Sequence, residues 1–462
     1  MKSFLCLIFL SICFFNTGFA DTLALLKEAK QYHEQRDYTK AAELLEQAAT
    51  QGDAVAQSML VLVYSDGLGV EEDHSKAAYW YEKAVAQNNA DAQVILAVLH
   101  LGDELPYLKD EAKALEFVTQ AAMQGNAKGQ FVLGGMYFDG KGIERDTAKG
   151  FEWFEKAQAQ DFPDAIMALA EIYTYGLHGI EKDYARAIQL YEKAIPLNVE
   201  NANARLAFLY ANGFGVLKNN AKAIELFEKH VAPMSENGKG RYYNSLGVQY
   251  ADGYDLPKDD ALAAYWYEKA ATLGIMEAQY SLAKQYYHGT GVTQDLAQAK
   301  YWMEKAAQQD WDAAQYALAM MYLQGEGAAK DYSKALEWFE KAANKNNREA
   351  MYHLGVIYFD GLGKARDRAL ATQWLEKAII DDRGNQEDVP LEQRIYGARK
   401  WNSGQTSFSY AADASYRLGI LYAQNLEIEQ NFVTAKAWFG IACDNELQKG
   451  CDQYRELNEK GY

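Results

Sequence analysis

Basic charge, clustered histidine and cysteines at metal or redox spacing are what this sequence is short of, and each shortage removes a class of function. Its 46 Lys and Arg stand against 64 Asp and Glu, a formal net charge of −18 over 462 residues. That excess argues against nucleic acid and against anionic lipid surfaces, and admits a basic partner. Acidic helix faces also simply keep a long chain soluble. The seven histidines are scattered. No Cys-x-x-Cys, His-Glu-x-x-His or Gly-x-Ser-x-Gly occurs, and no glycine-rich phosphate loop with its lysine. No catalytic residue, metal or cofactor is therefore expected. Only one apolar run is long, Phe4 to Phe15. It follows Lys2 and precedes the small residues Gly18 and Ala20, the pattern of a secretory signal peptide cut after Ala20. The run is shorter than the roughly 20 residues that span a bilayer. Ile12 before Cys13 does not suit a lipoprotein acceptor. The expected product is exported, periplasmic or secreted, with no membrane span, and its charge is −19 once Lys2 is lost (45 minus 64).

What is present is a repeat. The stretch Trp311 to Asn346 defines it: Ala314, Leu318, Ala319 and Tyr322 share one helical face, and Gly325 and Gly327 interrupt. Asp331 then stands where a cap accepts backbone N–H groups, and Ala335, Trp338, Phe339, Ala342 and Ala343 give a second helix its apolar face. Glycine recurs at positions 67, 102, 140, 176, 213, 253, 289, 325 and 361, in steps of 35 to 40. The cap recurs as Asp73, Asp110, Asp146, Asp183, Asp259, Asp295, Asp331 and Asp367, with Asn219 once. The anchor recurs as Trp80, Phe117, Trp153, Leu190, Leu226, Trp266, Trp302, Trp338 and Trp374, a column read as core and not as a binding box. A hairpin of about 36 residues cannot bury both faces alone and must stack on its copies.

The pattern Leu-Gly/Ala-x-x-Tyr-x-x-Gly-x-Gly, then Asp, Lys-Ala and Trp-Tyr/Phe-Glu-Lys-Ala-Ala, resembles the Sel-one-like repeat, a relative of the tetratricopeptide repeat. The resemblance implies an all-α, right-handed superhelical α-solenoid that binds other proteins. In order, the expected parts are a signal peptide (1–20), a tetratricopeptide-like capping hairpin (21–52), about nine repeats (53–380), an inserted loop (381–413), a last repeat (414–445) and a capping helix (446–462). Gly102-Asp-Glu-Leu-Pro106 replaces the double glycine, so that loop is expected to be reshaped. The longer linker from His230 to Tyr242 is read as a bend in one continuous stack, not as a domain boundary. Cys443 and Cys451, in an exported protein, read as a disulfide pinning the end.

In tetratricopeptide-like superhelices the first helix of each hairpin lines the concave face, and the resemblance points to the columns that face it. Phe131, Tyr280, Tyr316, Tyr352 and Tyr416 stand two residues before the recurring Leu. Phe138, Tyr287 and Phe359 follow the recurring Tyr, with Tyr175, His288 and Asp360 next, and Lys284 lies one turn before His288. Together they make a candidate partner-binding ladder, or they fill space between repeats. The insertion offers a rival surface in Arg394, Tyr396, Arg399 and Trp401, near Lys400, Phe408 and Tyr410. Ser281-Leu-Ala-Lys284 matches the Ser-x-x-Lys of penicillin-recognising enzymes, without Ser-Asp-Asn or Lys-Thr-Gly. The function expected is a non-catalytic scaffold, such as an immunity partner of a secreted toxin or a host-interaction factor. The alternatives are a penicillin-interactive enzyme and a purely structural envelope protein.

Overall fold

The computed structural model describes residues 20–102, 108–380, 391, 395, 410–424 and 429–462. The leader before residue 20 and most of the insertion, including Arg394, Tyr396, Arg399 and Trp401, lie outside them. Among the described residues there are 23 α-helices and no strand. The chain forms two compact units, one running through His230 and the other starting at Val231. The linker read as a bend within one stack is thus where the chain divides.

The first unit holds the hairpins α1 (Ala20–Glu34) with α2 (Tyr38–Thr50), α3 (Ala54–Asp66) with α4 (His74–Ala86), and α5 (Ala90–Leu101) with α6 (Glu111–Met123). It continues with α7 (Ala127–Asp139) and α8 (Thr147–Gln158), α9 (Pro163–Tyr175) and α10 (Tyr184–Ala194), and α11 (Ala202–Asn212) and α12 (Asn220–Val231), whose last residue opens the second unit. The second holds α13 (Glu236–Asp252) with α14 (Asp260–Thr272), α15 (Met276–His288) with α16 (Leu296–Gln308), and α17 (Asp312–Gln324) with α18 (Tyr332–Ala343). After α19 (Arg348–Asp360) and α20 (Arg368–Ile379) come α21 (Ala411–Ala423), α22 (Phe432–Asp444) and α23 (Gln448–Glu459). The last repeat therefore begins at Ala411 and not at Ala414. Asp413, read as insertion, lies in the first turn of α21, where a carboxylate suits the helix dipole.

The columns explain the hairpins. Each of the eight expected aspartates accepts a backbone N–H bond at the start of a second helix, and Asn219 does so once, at 3.0 Å. Eight of the nine column glycines close a first helix in the left-handed region, as Gly325 does at φ 80°. Gly102 is the exception, extended at φ −73° and ψ 153°, in keeping with the altered sequence that follows it. The second glycine of the loop has a different task. A Cβ on Gly291 would lie 2.0 Å from the Asp260 carbonyl oxygen, and one on Gly327 would lie 2.1 Å from that of Leu296. Both targets are the first residue of the preceding repeat's second helix, so this glycine lets one repeat sit directly on the last.

Polar contacts lock the same junctions. The recurring Tyr donates its hydroxyl to a glutamate of the preceding repeat, as Tyr322 does to Glu304 at 2.7 Å and Tyr358 to Glu340 at 3.3 Å. Buried Gln279 donates to the Ala271 carbonyl at 3.1 Å and accepts from Gln309 at 2.8 Å, and Gln130 with Gln160 repeats the arrangement. Each ties the end of one hairpin's second helix to the first helix of the next through a helix-end carbonyl.

The tryptophan column requires correction. Trp266 and Trp438 are fully buried and Trp80 nearly so. Trp153, Trp302, Trp338 and Trp374 are only half-buried, and the next residue, such as Phe339, occupies the core. Successive helical positions lie about 100° apart, so an aromatic pair presents one ring inward and one at the edge. Lysines cover three of those edges: Lys156 lies 3.7 Å from the Trp153 ring centroid, Lys341 4.0 Å from Trp338 and Lys377 4.9 Å from Trp374.

Candidate functional site

In the second unit the ladder tyrosines are held in place by partners from neighbouring helices. Tyr280 packs its ring 4.6 Å from Trp311. Tyr287 donates its hydroxyl to Glu326 at 2.6 Å, and that carboxylate, with some burial, holds the phenol above its ordinary pKa. Tyr316 packs 5.9 Å from Phe339 and meets His353 Nε2 at 3.4 Å. Tyr352 stacks on Tyr410 at 5.0 Å and donates to Asp413 at 2.9 Å. Burial, then Asp413, raises its pKa. Tyr416 lies 5.8 Å from Phe439. These rings fill space between repeats and are fixed there; Tyr280, Tyr287, Tyr316, Tyr352, Phe359 and Tyr416 each keep a partly exposed side.

A charged knot that the sequence columns do not reveal closes the far end of this row. Arg417 donates to Asp413 at 2.6 Å and to Asp360 at 3.0 Å, with its guanidinium 5.0 Å from the Phe359 ring centroid. Burial opposes the charge of Arg417, yet its two carboxylates outweigh burial and raise its pKa. Asp360 and Arg417 are 57 residues apart, which is why no local spacing announces the pair. Beside it, His353 stacks 5.2 Å from Phe339, and burial pushes its pKa down to about 4.

At the near end is a cavity of about 260 Å³ between α13–α14 and α15 with its loop, lined by Ala251, Asp260, Tyr267, Tyr280, Ser281, Lys284, Gln285, His288 and Thr290. It brings together three of the sequence candidates, Tyr280, Lys284 and His288. Lys284 and His288 are exposed, and the ammonium lies 5.7 Å from the Tyr280 ring centroid. Ser281 hydrogen-bonds Tyr267, whose pKa burial raises. Gln285 is 8% exposed and donates to the Asp260 carbonyl at 3.4 Å, while its Oε1 is buried with no partner. Neither Gln285 nor Tyr267 stood out in the sequence, because the cavity depends on where the Thr290-Gly291 turn lands on α14.

The other candidates are apart. Phe138 is 4% exposed, packed 4.9 Å from Phe154 with Leu169 and Ile172, and so belongs to the core of the first unit and not to a binding surface. Gly150 opposite it leaves the room that the ring fills. Tyr175 is exposed and accepts from Arg205 at 3.0 Å; Arg205 also pairs with Glu171 at 3.2 Å. From the insertion, Ile395 is buried and Leu391 half-buried against the core of the second unit, and Tyr410 is 8% exposed. These three pack back on the repeats. Cys443 and Cys451 form a disulfide that ties α22 to α23. Among the described residues no group of His, Cys, Asp and Glu could hold a metal ion, and no helix is long and apolar enough to cross a membrane.

A family model described as the Sel1 repeat matches residues 31–53, 54–89, 90–126, 127–161, 163–196, 201–229, 242–275, 277–311, 312–347, 348–380 and 412–447. The chain belongs to the Sel1 repeat family. The Sel1 match enters the opening hairpin, which sequence reading set aside as a tetratricopeptide-like cap, and covers α2. Among solved Sel1 structures, the chain is 29% identical to c5321, described as a protective antigen of uropathogenic Escherichia coli strains displaying an SLR fold; the likeness covers 96% of this chain and 88% of that one, with a TM-score of 0.44. It is 25% identical to a Sel1 repeat protein from Oxalobacter formigenes, over 71% of this chain and 91% of that one, with a TM-score of 0.39. A curated relative, the chitin synthase regulator SKT5 of Saccharomyces cerevisiae, is 28% identical over 149 residues, 30% of this chain, and the chain spans only 21% of its length.

Proposed function

We propose that this Sel1 repeat protein is an exported, non-catalytic scaffold that holds a protein partner on the first-helix face of its second unit. One observation carries the reading: tyrosines Tyr280, Tyr287, Tyr316 and Tyr352 are fixed by ring packing or hydrogen bonds, yet each keeps an exposed side, beside an open cavity that carries Lys284 and His288. Rings already fixed in place lose little freedom on association, so their contact area converts efficiently into affinity. The export reading rests on the leader pattern and on the disulfide. The test is a pull-down comparing the mature chain with a Tyr287→Ala, His288→Ala, Phe359→Ala variant; equal recovery of partners by both sinks the proposal. A toxin gene adjacent to this one favours an immunity role over a host-interaction role. Deleting 381–409 tests the rival surface, which gains if partners vanish only then.

One arrangement supports a second reading. Ser281, Lys284 and Tyr267 line the same cavity, with Tyr267 bonded to Ser281; a serine acylated by a β-lactam would need a base, a part open here to Lys284. In that step Ser281 Oγ adds to the lactam carbonyl, the ring C–N bond breaks, and the hydroxyl proton passes to the departing nitrogen. Labelled penicillin should then form an adduct at Ser281, and an unlabelled protein removes the idea.

A further inference from the structure

The first helices of the second unit repeat one arrangement. Glu277 and Tyr280 of α15, Glu349 and Tyr352 of α19, and Asp413 and Tyr416 of α21 stand three residues apart, and Asp312 and Tyr316 of α17 stand four apart, so acid and ring share a helix face each time. Each ring also reaches the start of the next first helix. Tyr280 packs on Trp311, the residue before Asp312; Tyr316 meets His353, one turn past Glu349; and Tyr352 donates to Asp413. After burial, Asp312, Glu349 and Asp413 are what raise the pKa of these three phenols in turn. Carboxylate and partly exposed ring thus alternate along one row. Arg417 takes up Asp360 and Asp413, but Glu277 and Glu349 make no ion pair among the described residues, and Asp312 accepts the neutral amide of Asn347 at 3.1 Å. We infer that this row binds an extended basic segment of the protein partner, its Lys or Arg side chains seated beside Glu277, Asp312 and Glu349 against the exposed sides of Tyr280, Tyr316 and Tyr352. This deepens the partner-binding reading and rests on it.

The chain itself shows that the face accepts such groups. The Arg417 guanidinium lies over the Phe359 ring between two carboxylates, and the Lys284 ammonium lies 5.7 Å from the Tyr280 ring centroid. A cation gains from an aromatic face, and a carboxylate one turn away adds to that gain. Spacing suits an extended ligand. Packed helices lie about 8–10 Å apart. In a polyproline II segment every third residue returns to the same side after about 9 Å, so basic residues at every third position meet successive repeats. The net charge of −18 draws such a segment towards the chain, and neutral or acidic segments gain nothing from the row.

The test is calorimetric titration of the mature chain, at low salt, with capped nine-residue peptides that repeat Arg-Pro-Ala, Gln-Pro-Ala or Glu-Pro-Ala. The Arg peptide should bind at least about tenfold more tightly than the Gln peptide and lose most of that advantage at about 0.5 M salt, where exposed charges are screened. The Glu peptide should not bind. A peptide of the same composition with its arginines adjacent should bind several-fold more weakly. Glu277→Gln with Glu349→Gln should bring the Arg peptide down to the level of the Gln peptide, whereas Glu337→Gln with Glu459→Gln, the same change of charge on α18 and α23, should leave it unaltered. Equal binding of the Arg and Gln peptides overturns the inference. So does an equal loss in the two double variants, which would make the attraction one of net charge alone. Equal binding of spaced and adjacent arginines overturns the seating of one cation per repeat. If the pull-down variant loses its partner while the Arg peptide fails to bind, the face reading stands and this one falls; peptide binding with the partner retained has the opposite meaning.

Discussion

Gly289 and Gly291 sit in one turn at nearly the same backbone angle, φ 71° and 73°, but in very different space. A Cβ on Gly289 would meet Gln294 Cβ at 3.2 Å and its backbone nitrogen at 3.3 Å, a tight contact that a shift of a few tenths of an ångström within the turn relieves; a Cβ on Gly291 would lie 2.0 Å from the Asp260 oxygen and 2.3 Å from its carbon. Alanine at either position bears the left-handed strain of about 1–2 kcal/mol. Only at Gly291 must the turn also lift off α14, an overpacking cost of about 1–3 kcal/mol more. Gly274, at φ 84° with nothing within 4 Å, isolates the strain alone. Gly274→Ala and Gly289→Ala should therefore lower stability similarly, and Gly291→Ala by about 2–5 kcal/mol in all. Urea denaturation followed by far-ultraviolet circular dichroism reads the difference, compared by midpoint because stacked repeats need not unfold in one step. The same variant should weaken ligands of the cavity, since Thr290 is part of its wall. Equal midpoints for Gly289→Ala and Gly291→Ala would refute the claim that this glycine exists for contact between repeats.

Acidification should destabilise the second unit through His353. Its folded pKa is pushed by burial from 6.5 to about 4, so the unfolded chain takes up the proton first. The stability it contributes is complete above pH 6.5 and is lost as pH falls towards 4. His353→Phe should reduce the gap between denaturation midpoints at neutral and acid pH, and an unchanged gap would count against it. Reducing the Cys443–Cys451 bond, which closes a separation of eight residues, should cost the C-terminal end about 2–3 kcal/mol. Faster amide exchange in α23 under reductant would show it; no change would mean that packing alone holds the helix. Asp331→Ala removes the bond to the Lys334 N–H at 3.0 Å and should cost about 1 kcal/mol in denaturation midpoint terms, whereas Asp331→Asn should cost much less.

The repeat was legible because it is local and periodic. Asp331 and Gly325 announce themselves within a few residues, and eight more copies of each column repeat the message. The parts that stayed hidden depend on geometry between repeats. Which ring of a pair such as Trp338-Phe339 faces inward is a matter of rotation that periodicity resolves only coarsely. Phe138 read as surface because its column does so elsewhere, but Gly150 lets it sink against Phe154. Tyr410 and Asp413 read as insertion because no glycine or cap marks the start of α21; their partner is Tyr352, some sixty residues earlier. Of the candidate site, Lys284 and His288 were visible as neighbours one turn apart. Gln285 was not, since an unpartnered oxygen is a property of a packed interior.

The close approach of Gly291 to Asp260 and of Gly327 to Leu296 gives the chain a grammar out of step with its hairpins. Each turn completes the repeat before it, so the self-sufficient word ends after a glycine pair and not after a second helix. A fragment cut after Gln308 lays bare the start of α16, whereas one cut after Gly327 keeps it covered. Duplicating or trimming such a protein without loss therefore means copying across the hairpin boundary, and an array shortened at hairpin ends should fray from the newly exposed helix start inward.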